Sequence, residues 1–222
     1  MATATPFMVI GLTGLKGAGK SVVADAFVGE KHNDWTKTAF AAPLKAGLQA
    51  MFGFSEAQLH DAALKETVDD RYGITPRQAM QIVGTDLMRH ELQRRLGVEA
   101  LWVKRMDACL EAARAAGKPV IVEDVRFPDE VACIERHGGT IVRVTRPPPA
   151  AAAAAAAEPA AAAEPAAAAA AAEPPAAVHE TESHVLPYAV EIVNAGDVEE
   201  LRAQARQLRQ RLQEAAVLRN KA

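Results

Sequence analysis

The sequence predicts a three-layer α/β domain, in which a parallel sheet of about five strands carries helices on both faces. Short apolar runs at residues 7–12, 119–125 and 189–193 have the length and composition of buried strands. Segments such as 21–30 and 99–116 carry apolar residues at helical spacing. Buried strands that alternate with amphipathic helices are typical of a parallel sheet, because crossover helices cover its two faces.

The remaining elements are predicted from local start and stop signals. The strongest is Thr75-Pro76-Arg77-Gln78: Thr75 can cap a helix, Pro76 fits its first position, and Gln78 completes a capping box. Residues 84–86, Gly-Thr-Asp, are expected to interrupt or bend that helix. The other predicted elements are a strand at 38–42, helices at 43–52, 86–96 and 128–137, a strand at 140–145 and a final helix capped by Asp197.

One long stretch of the chain has a composition of its own. Residues 147–177 consist of Ala, Pro and Glu, so they offer little apolar surface to bury. The prolines prevent the alanine runs from forming one long helix. We therefore expect one domain, with its core in residues 1–146, a disordered insertion at 147–177, and a last strand and helix in 178–222.

The charge balance limits the classes of partner. The chain carries 25 basic and 28 acidic residues, and three of the acids lie in the 147–177 stretch, which leaves the rest neutral. A neutral body argues against non-specific nucleic-acid binding, which needs a basic surface. A neutral body is still compatible with a small, local basic pocket. The sequence does not decide whether the chain forms a homodimer.

The cysteines and the apolar segments indicate the cellular compartment. The two cysteines, Cys109 and Cys133, lack the close spacing of a zinc or redox pair. The apolar run near the N-terminus has no basic flank or cleavage site, and no apolar run is long enough to cross a bilayer. We therefore expect a soluble, cytoplasmic protein.

The most specific short motif is GLKGAGKS at residues 14–21, between the first predicted strand and helix. This is the pattern of a phosphate-binding loop, whose glycines let backbone amides approach phosphate oxygens. Lys20 is expected to reach the β- and γ-phosphates of a nucleotide, and the Ser21 hydroxyl to ligate Mg²⁺. The predicted nucleotide-binding residues are Gly14, Gly17, Ala18, Gly19, Lys20 and Ser21.

One class of protein with such a loop is the small kinases, which also need a second pocket whose cations hold the phosphate of an acceptor. Arg77 stands out because it lies in the first turn of a well-capped helix, where a cation opposes the helix dipole and so suggests another purpose. The other candidates lie between the first helix and the third strand and would otherwise be ordinary surface charges; they are Lys45, Arg89, Arg94, Arg95 and Lys104.

Several separated segments together resemble the phage-type deoxynucleoside monophosphate kinases, a branch of the P-loop nucleoside monophosphate kinases. RQAMQIVGTDLMR (77–89) and VEDVRFPDE (122–130) are more specific than the phosphate loop. The resemblance spans nearly the whole chain outside 147–177. The other matching segments are AAPLK (41–45), WVK (102–104), GGTIVRVTRP (138–147), HETE (179–182) and EIVNAGDVEEL (191–201).

The resemblance implies a three-layer P-loop kinase fold and transfer of phosphate from ATP, with Mg²⁺, to a deoxynucleoside monophosphate, supplying precursors for DNA synthesis. The compartment would be the host cytoplasm if the chain is phage-encoded. Arg77 and Lys45 would hold the acceptor phosphate, and the helical region at about 43–116 would bind the acceptor. The remaining implied site residues are Gly84, Thr85, Trp102, Asp124, Arg126 and Glu130, with His179 and Glu182 at the nucleotide site or lid.

The implied chemistry needs little covalent help, because the attacking phosphate oxygen is already ionised at neutral pH. Lys20, Mg²⁺ and an arginine would neutralise the transferred phosphoryl group, with Lys16 as a further candidate. Residues 148–200 contain no Lys or Arg, whereas kinase lids commonly carry arginines. Arg126, Arg143 or Arg146 would have to take that role.

Two alternatives remain open at this stage. One is a P-loop kinase of another small phosphorylated acceptor, such as dephospho-coenzyme A or phosphomevalonate. The other is a nucleotide-binding module without an acceptor. These readings differ over Arg77: only an acceptor-dependent enzyme should lose turnover when it is replaced.

Overall fold

A computed structural model describes residues 7–29, 35–147 and 186–219. Its five strands form one parallel sheet of order β2-β3-β1-β4-β5. The elements are β1 (Val9–Thr13), α1 (Lys20–Val28), β2 (Thr36–Thr38), α2 (Ala42–Phe52), α3 (Glu56–His60), a 3-10 helix (Leu64–Glu66), α4 (Pro76–Gln81), a π-helical stretch (Ile82–Glu91), α5 (Leu92–Leu96), α6 (Leu101–Ala115), β3 (Val120–Val122), α7 (Pro128–Arg136), β4 (Thr140–Thr145), β5 (Val190–Val193) and α8 (Val198–Arg219).

Helices cover both faces of the sheet, as the buried strands require. Consecutive strand residues point to opposite sides, so Val9 joins one apolar cluster and Ile10 the other. The cluster around Ile10 includes Phe27 of α1 and Leu201 of α8. The cluster around Val9 includes side chains of α6 and α7, among them Leu110 and Ile134. The three-layer α/β prediction is confirmed.

The helices between β2 and β3 have a small core of their own. Leu48, Phe54, Leu59 and Ala79 form an apolar cluster separate from the two at the sheet. α6, which also lies between β2 and β3, packs instead on the sheet cluster around Val9. Residues of α2, the 3-10 helix and α4 form one wall of the cleft described below.

Local signals predicted several element boundaries well. The Thr75 side chain accepts from the Gln78 amide in a capping box, with Pro76 in the first turn, as expected. The Asp197 carboxylate accepts from the Glu200 amide at 2.9 Å, which confirms the cap of α8.

In the part of the chain that the structure describes, no helix is both long and apolar enough to cross a bilayer.

Two predicted boundaries are wrong. The strand expected at 38–42 lies instead at Thr36–Thr38, because the amides of Phe40 and Ala41 turn away from the sheet to bond Asp124. Residues 84–86, where an interruption or a bend was expected, do not interrupt the helix; the chain stays helical and widens into the π-helical stretch. The expectations for 148–177 concern residues outside the described part of the chain.

Two glycines of the phosphate loop provide a matched test of the loop's packing. Both have positive φ, 138° at Gly14 and 79° at Gly17. A Cβ on Gly14 would lie 2.1 Å from the backbone oxygen of Val144, whereas one on Gly17 would meet nothing within 4 Å. We therefore expect Gly14→Ala to lower the free energy of unfolding by about 2 kcal/mol more than Gly17→Ala, because backbone cannot rotate aside.

Denaturant unfolding of the two variants and the parent chain measures this difference. Gly17→Ala is the control for the strain of a positive φ alone. Equal losses in the two variants would contradict the predicted clash between the loop and β4.

Candidate functional site

A cleft of about 450 Å³ opens at the carboxyl ends of β1 and β3. Strand order places β1 between β3 and β4, and ligands of such sheets bind where the chain crosses from one side to the other. The phosphate loop forms one side of the cleft, and the helices between β2 and β3 form the other. Its lining from the loop and α1 includes Lys16, Gly17, Gly19, Lys20, Ser21 and Val22.

Hydrogen bonds within the protein hold the phosphate loop in a defined shape. Gly19 caps α1 with a left-handed backbone, and a Cβ there would lie 2.9 Å from Asn194 Nδ2. The Asn194 side chain, buried after β5, donates to the Ala18 carbonyl at 2.9 Å. Lys20 Nζ donates to the carbonyls of Gly14, at 2.7 Å, and Leu15, at 2.9 Å. The loop amides and the start of α1 thus form a cradle suited to phosphate.

The start of α4 faces this cradle across the cleft. Arg77 Nε donates to Glu66 Oε1 of the 3-10 helix. The same oxygen accepts from Lys16 Nζ, in the phosphate loop, at 2.6 Å. One carboxylate oxygen therefore joins a cation of the loop to the cation that the sequence suggested for an acceptor.

More cations converge on this part of the cleft. Lys45 of α2 and Lys65 of the 3-10 helix both line it, as does Arg126 after β3. Burial is the main cause that lowers the pKa of Lys65, and the charges of Lys45, Arg77 and Arg126 lower it further. Burial likewise lowers the pKa of Lys45, against the pull of Asp124 and Glu123. Mutually repelling, partly buried cations create a strong preference for an anion.

The end of β3 supplies two carboxylates with different surroundings. Asp124 accepts from the amides of Phe40, at 2.7 Å, and Ala41, at 2.9 Å, so both its oxygens fix the turn after β2. Burial raises its pKa above the usual range, although these two amides oppose the rise. Glu123 Oε2 is buried and has no hydrogen-bond partner among the described residues; Lys37 Nζ lies 3.6 Å away. Asp124 thus binds backbone amides, while Oε2 of Glu123 has a long ion pair with Lys37 and no hydrogen bond among the described residues.

The π-helical stretch forms the far wall of the cleft. Gly84 and Thr85 are buried and line it, together with Trp102 of α6. The Trp102 indole N–H donates to the Gly84 carbonyl at 3.0 Å, which fixes the ring beside the opening. π-Helical turns within α-helices occur frequently at functional sites.

Arg89 joins the π-helical stretch to the start of α7. Its guanidinium donates to Asp129 at 2.8 Å and Glu130 at 2.6 Å, and lies 3.7 Å from the centre of the Phe127 ring. Glu130 also accepts from the Arg126 amide at 2.8 Å. Its side chain is only 4% exposed. Glu130 lines the cleft but is engaged by the protein on both oxygens.

The position of Glu130 gives a pH-dependent expectation. Burial, with the charge of Asp124, raises its pKa to about 8, against the opposing Arg126 amide and Arg89. The folded chain therefore holds this proton more tightly than the unfolded chain, so the site's contribution to stability is largest below about pH 4.5 and falls as the pH rises toward about 8. Glu130→Gln should remove that slope while keeping the amide bonds. Glu130→Ala should cost about 2 kcal/mol, because it leaves the partly buried Arg126 amide without its acceptor and Arg89 with Asp129 as its remaining carboxylate partner.

Free energies of unfolding between pH 5 and pH 9 test both statements. Glu135→Gln, an exposed change on α7, is the control. A parent chain and a Glu130→Gln variant with parallel pH profiles would contradict the raised pKa of Glu130.

The structure brings most of the predicted site residues to one cleft. Lys16, Gly17, Gly19, Lys20 and Ser21 line it, as do all eight residues predicted for the acceptor. Gly14 and Ala18 do not line it and shape the loop from behind. Arg146 is exposed and is not among the lining residues, and the Arg143 guanidinium lies over the Tyr188 ring. His179 and Glu182 lie outside the described residues.

Several residues of the cleft were missed by sequence reasoning. His60, Lys65 and Glu123 line it, Glu66 bridges its two sides, and Asn194 supports the loop. Glu123 lies between the end of β3 and Asp124, a predicted site residue, so its place in the sequence could have identified it as a cleft residue. Lys65 and Glu66 lie in a polar segment without periodicity, and only the folded chain shows which way they point.

A second polar cluster lies on α6 and α7. Asp107, Cys133 and His137 have potential metal-ligating atoms within 4.8 Å of one another. The Cys133 thiol donates to Asp107 at 3.2 Å, and Arg136 donates to the same carboxylate at 3.0 Å. Burial raises the pKa of Cys133 to about 12, so the thiol stays protonated. With a guanidinium already neutralising the carboxylate, this cluster is a closed hydrogen-bond network.

Comparison with known proteins gives one sequence relative and remote structural likenesses. No protein-family model matches the chain. A protein of Acanthamoeba polyphaga mimivirus, named "Putative deoxynucleotide monophosphate kinase", is 33% identical over 156 residues, which make up 63% of this chain and 75% of that protein. An APS kinase of Mycobacterium tuberculosis aligns with a TM-score of 0.42 at 15% identity, over 91% of this chain and 94% of that one. An unliganded sugar kinase from a Janibacter species aligns with a TM-score of 0.41 at 13% identity, over 90% of this chain and 92% of that one. Structural matches this distant do not indicate what the chain does.

Proposed function

We propose, because the chain belongs to the deoxynucleoside monophosphate kinase family, that it transfers the γ-phosphoryl group of ATP to a deoxynucleoside monophosphate. Membership of the family makes the chain a phosphotransferase. The observation that carries the finer proposal is the meeting of Lys16 and Arg77 on one oxygen of Glu66. Two anion sites only one carboxylate apart are close enough for direct transfer between two bound nucleotides.

The phosphate loop is the proposed donor site. Its amides and the start of α1 would cradle the β- and γ-phosphates of ATP. Lys20 would exchange its bonds to the Gly14 and Leu15 carbonyls for bonds to phosphate oxygens. Ala18 would hold the loop in shape, since its amide donates to the Leu15 carbonyl at 3.2 Å and its carbonyl accepts from Asn194 at 2.9 Å.

The residues near the loop fit Mg²⁺, a hard cation that prefers oxygen ligands. The Ser21 hydroxyl lines the cleft, and so does Glu123, whose buried Oε2 has no hydrogen-bond partner among the described residues. Asp124 accepts a backbone amide on each oxygen, so the role we assign to it is to fix the turn after β2. When bound, the metal would neutralise charge on the phosphates being transferred.

The proposed acceptor site lies on the opposite wall. Arg77 and Lys45 would hold the acceptor phosphate, with Lys65 close by. Thr85 and the Trp102 ring would contact the nucleoside, and Gly84 would hold that ring through its carbonyl. Asp124 and Glu130 would act indirectly, by fixing the turn after β2 and the start of α7.

Transfer then follows from position and charge. An ionised oxygen of the acceptor phosphate attacks the γ-phosphorus, the bond to the bridging oxygen breaks, and ADP leaves with that electron pair. No side chain needs to remove a proton from the attacking group. Lys16, Lys20 and Arg126, which all line the cleft, would stabilise the charge on the transferred group.

A panel of acceptors tests this proposal. ADP release from ATP and Mg²⁺ is measured with each of the four common deoxynucleoside monophosphates and with the matching ribonucleoside monophosphates. We expect turnover with at least one deoxynucleotide and weaker turnover with its ribonucleotide. Dephospho-coenzyme A and phosphomevalonate serve as acceptors of the competing kinase classes. Turnover with either of these and with no deoxynucleotide would contradict the proposal, as would ATP hydrolysis independent of any acceptor.

A further inference from the structure

The segment at residues 56–66 lines the cleft through His60, Ala62 and Lys65. It consists of α3 and the 3-10 helix, joined by Asp61, whose carboxylate accepts from the amides of Ala63, at 2.8 Å, and Leu64, at 2.9 Å. The Lys65 amide donates to the Asp61 carbonyl at 3.2 Å. These bonds fix the 3-10 helix, so the direction of its side chains is set locally.

Lys65 and Glu66 of this helix interact with the same anion site in opposite ways. Lys65 lines the cleft and adds a positive charge to it. Glu66 puts one oxygen, Oε1, between Lys16 and Arg77. Its carboxylate therefore occupies the place between donor and acceptor cations where a phosphate oxygen would make the same two contacts.

The charges around Glu66 explain why it is held there. Seven Lys or Arg side chains line the cleft, against three acids; the cations are Lys16, Lys20, Lys45, Lys65, Arg77, Arg89 and Arg126, and the acids are Glu123, Asp124 and Glu130. Such an excess of cations attracts any nearby anion. The bond from Lys16 is the main cause that lowers the pKa of Glu66, so this residue stays ionised.

The contacts of Glu66 are nevertheless exchangeable. Its side chain is 43% exposed, and that of Lys16 is 51% exposed. Exposed ion pairs are weak, whereas a phosphate dianion can make bidentate, charge-assisted bonds with an arginine. An incoming phosphate therefore can displace the carboxylate while the bonds of Asp61 keep the helix in place.

We propose that Glu66 is an internal competitor of the acceptor phosphate: it pairs with Lys16 and Arg77 until the acceptor displaces it. This rests on the proposed function for the identity of the acceptor, but the competition itself concerns any phosphate at Arg77. Glu66 is thus a positioning residue. It keeps two cations near the transfer point while the site waits for its second substrate.

Binding of inorganic phosphate to the full chain without ATP tests the competition. We expect Glu66→Gln to bind phosphate about 5-fold more tightly than the parent chain, the size expected when a weak ion pair no longer competes. Glu66→Asp, which shortens the reach to Arg77, should also bind phosphate more tightly. Glu56→Gln, an exposed change in the same segment, should leave the affinity unaltered. Adding Arg77→Ala to Glu66→Gln should remove the gain.

Phosphate affinities are measured by calorimetric titration at low ionic strength, after thermal unfolding has shown that each variant is folded. An affinity of Glu66→Gln equal to or weaker than that of the parent would overturn the competition. The assay needs no nucleotide, so it separates the two proposals. Unchanged phosphate binding with normal deoxynucleotide turnover would remove only the competitor role, and tighter binding without such turnover would remove only the acceptor assignment.

Discussion

Lys20→Ala is expected to lower kcat by about 10³-fold, which corresponds to roughly 4 kcal/mol of transition-state stabilisation. Lys20 Nζ lies over the loop, where it donates to the carbonyls of Gly14 and Leu15. The ammonium is therefore held where the phosphoryl charge would develop. Water can replace these two bonds in the variant, so we expect the free energy of unfolding to change by only about 1 kcal/mol.

Single-turnover formation of ADP and denaturant unfolding, measured on the same preparation, check both parts. Lys118→Ala is the matched control, because Lys118 is exposed and lies on the loop before β3, outside the cleft lining. A variant that keeps more than a tenth of the parent kcat would contradict the role of Lys20. Global unfolding of the variant would show that Lys20 serves chiefly to hold the loop.

Arg77→Ala is expected to raise the KM for the acceptor by about 10²-fold, equivalent to roughly 2.7 kcal/mol, the size of a lost charge-assisted bidentate contact. The KM for ATP should change by less than about 3-fold, because Arg77 belongs to the opposite wall. The variant also leaves Glu66 paired with Lys16 and without Arg77.

Steady-state kinetics with each substrate varied in turn separate these effects. Arg95→Ala is the matched control: it removes an exposed arginine further along the same helical run, where Arg95 pairs with Glu91. An unaltered acceptor KM would contradict the assignment of Arg77. ATP turnover that does not depend on Arg77 or on an acceptor would support a nucleotide-binding module instead.

Features encoded by neighbouring residues could be predicted from the sequence. The GLKGAGKS loop, the Thr75 capping box and the alternation of buried strands each depend on residues within a few positions. The parallel sheet followed from them, since short apolar strands that alternate with helices have few other arrangements. The roles of the site residues remain predictions, although the fold brings most of them to one cleft.

Features that depend on distant pairs could not be predicted. Asp124 accepts from amides 83 and 84 positions earlier, a pairing that explains the misplaced end of β2 and that no local pattern indicated. Glu66 meets Lys16 from 50 positions away, within a polar stretch for which no element was predicted. The π-helical stretch has no signature in composition, because the same residues favour an ordinary helix as well.

The hydrogen bond from Asn194 to Ala18 has a consequence for the order of assembly. It joins residues 176 positions apart, so the nucleotide cradle is completed by a strand made late in translation. Long-range contacts of this kind form slowly, because closing a long stretch of chain is entropically costly. A nascent chain that has not yet docked β5 should therefore hold nucleotide weakly, and ATP should stabilise only the finished fold. Nucleotide affinity thus becomes a reporter of complete folding.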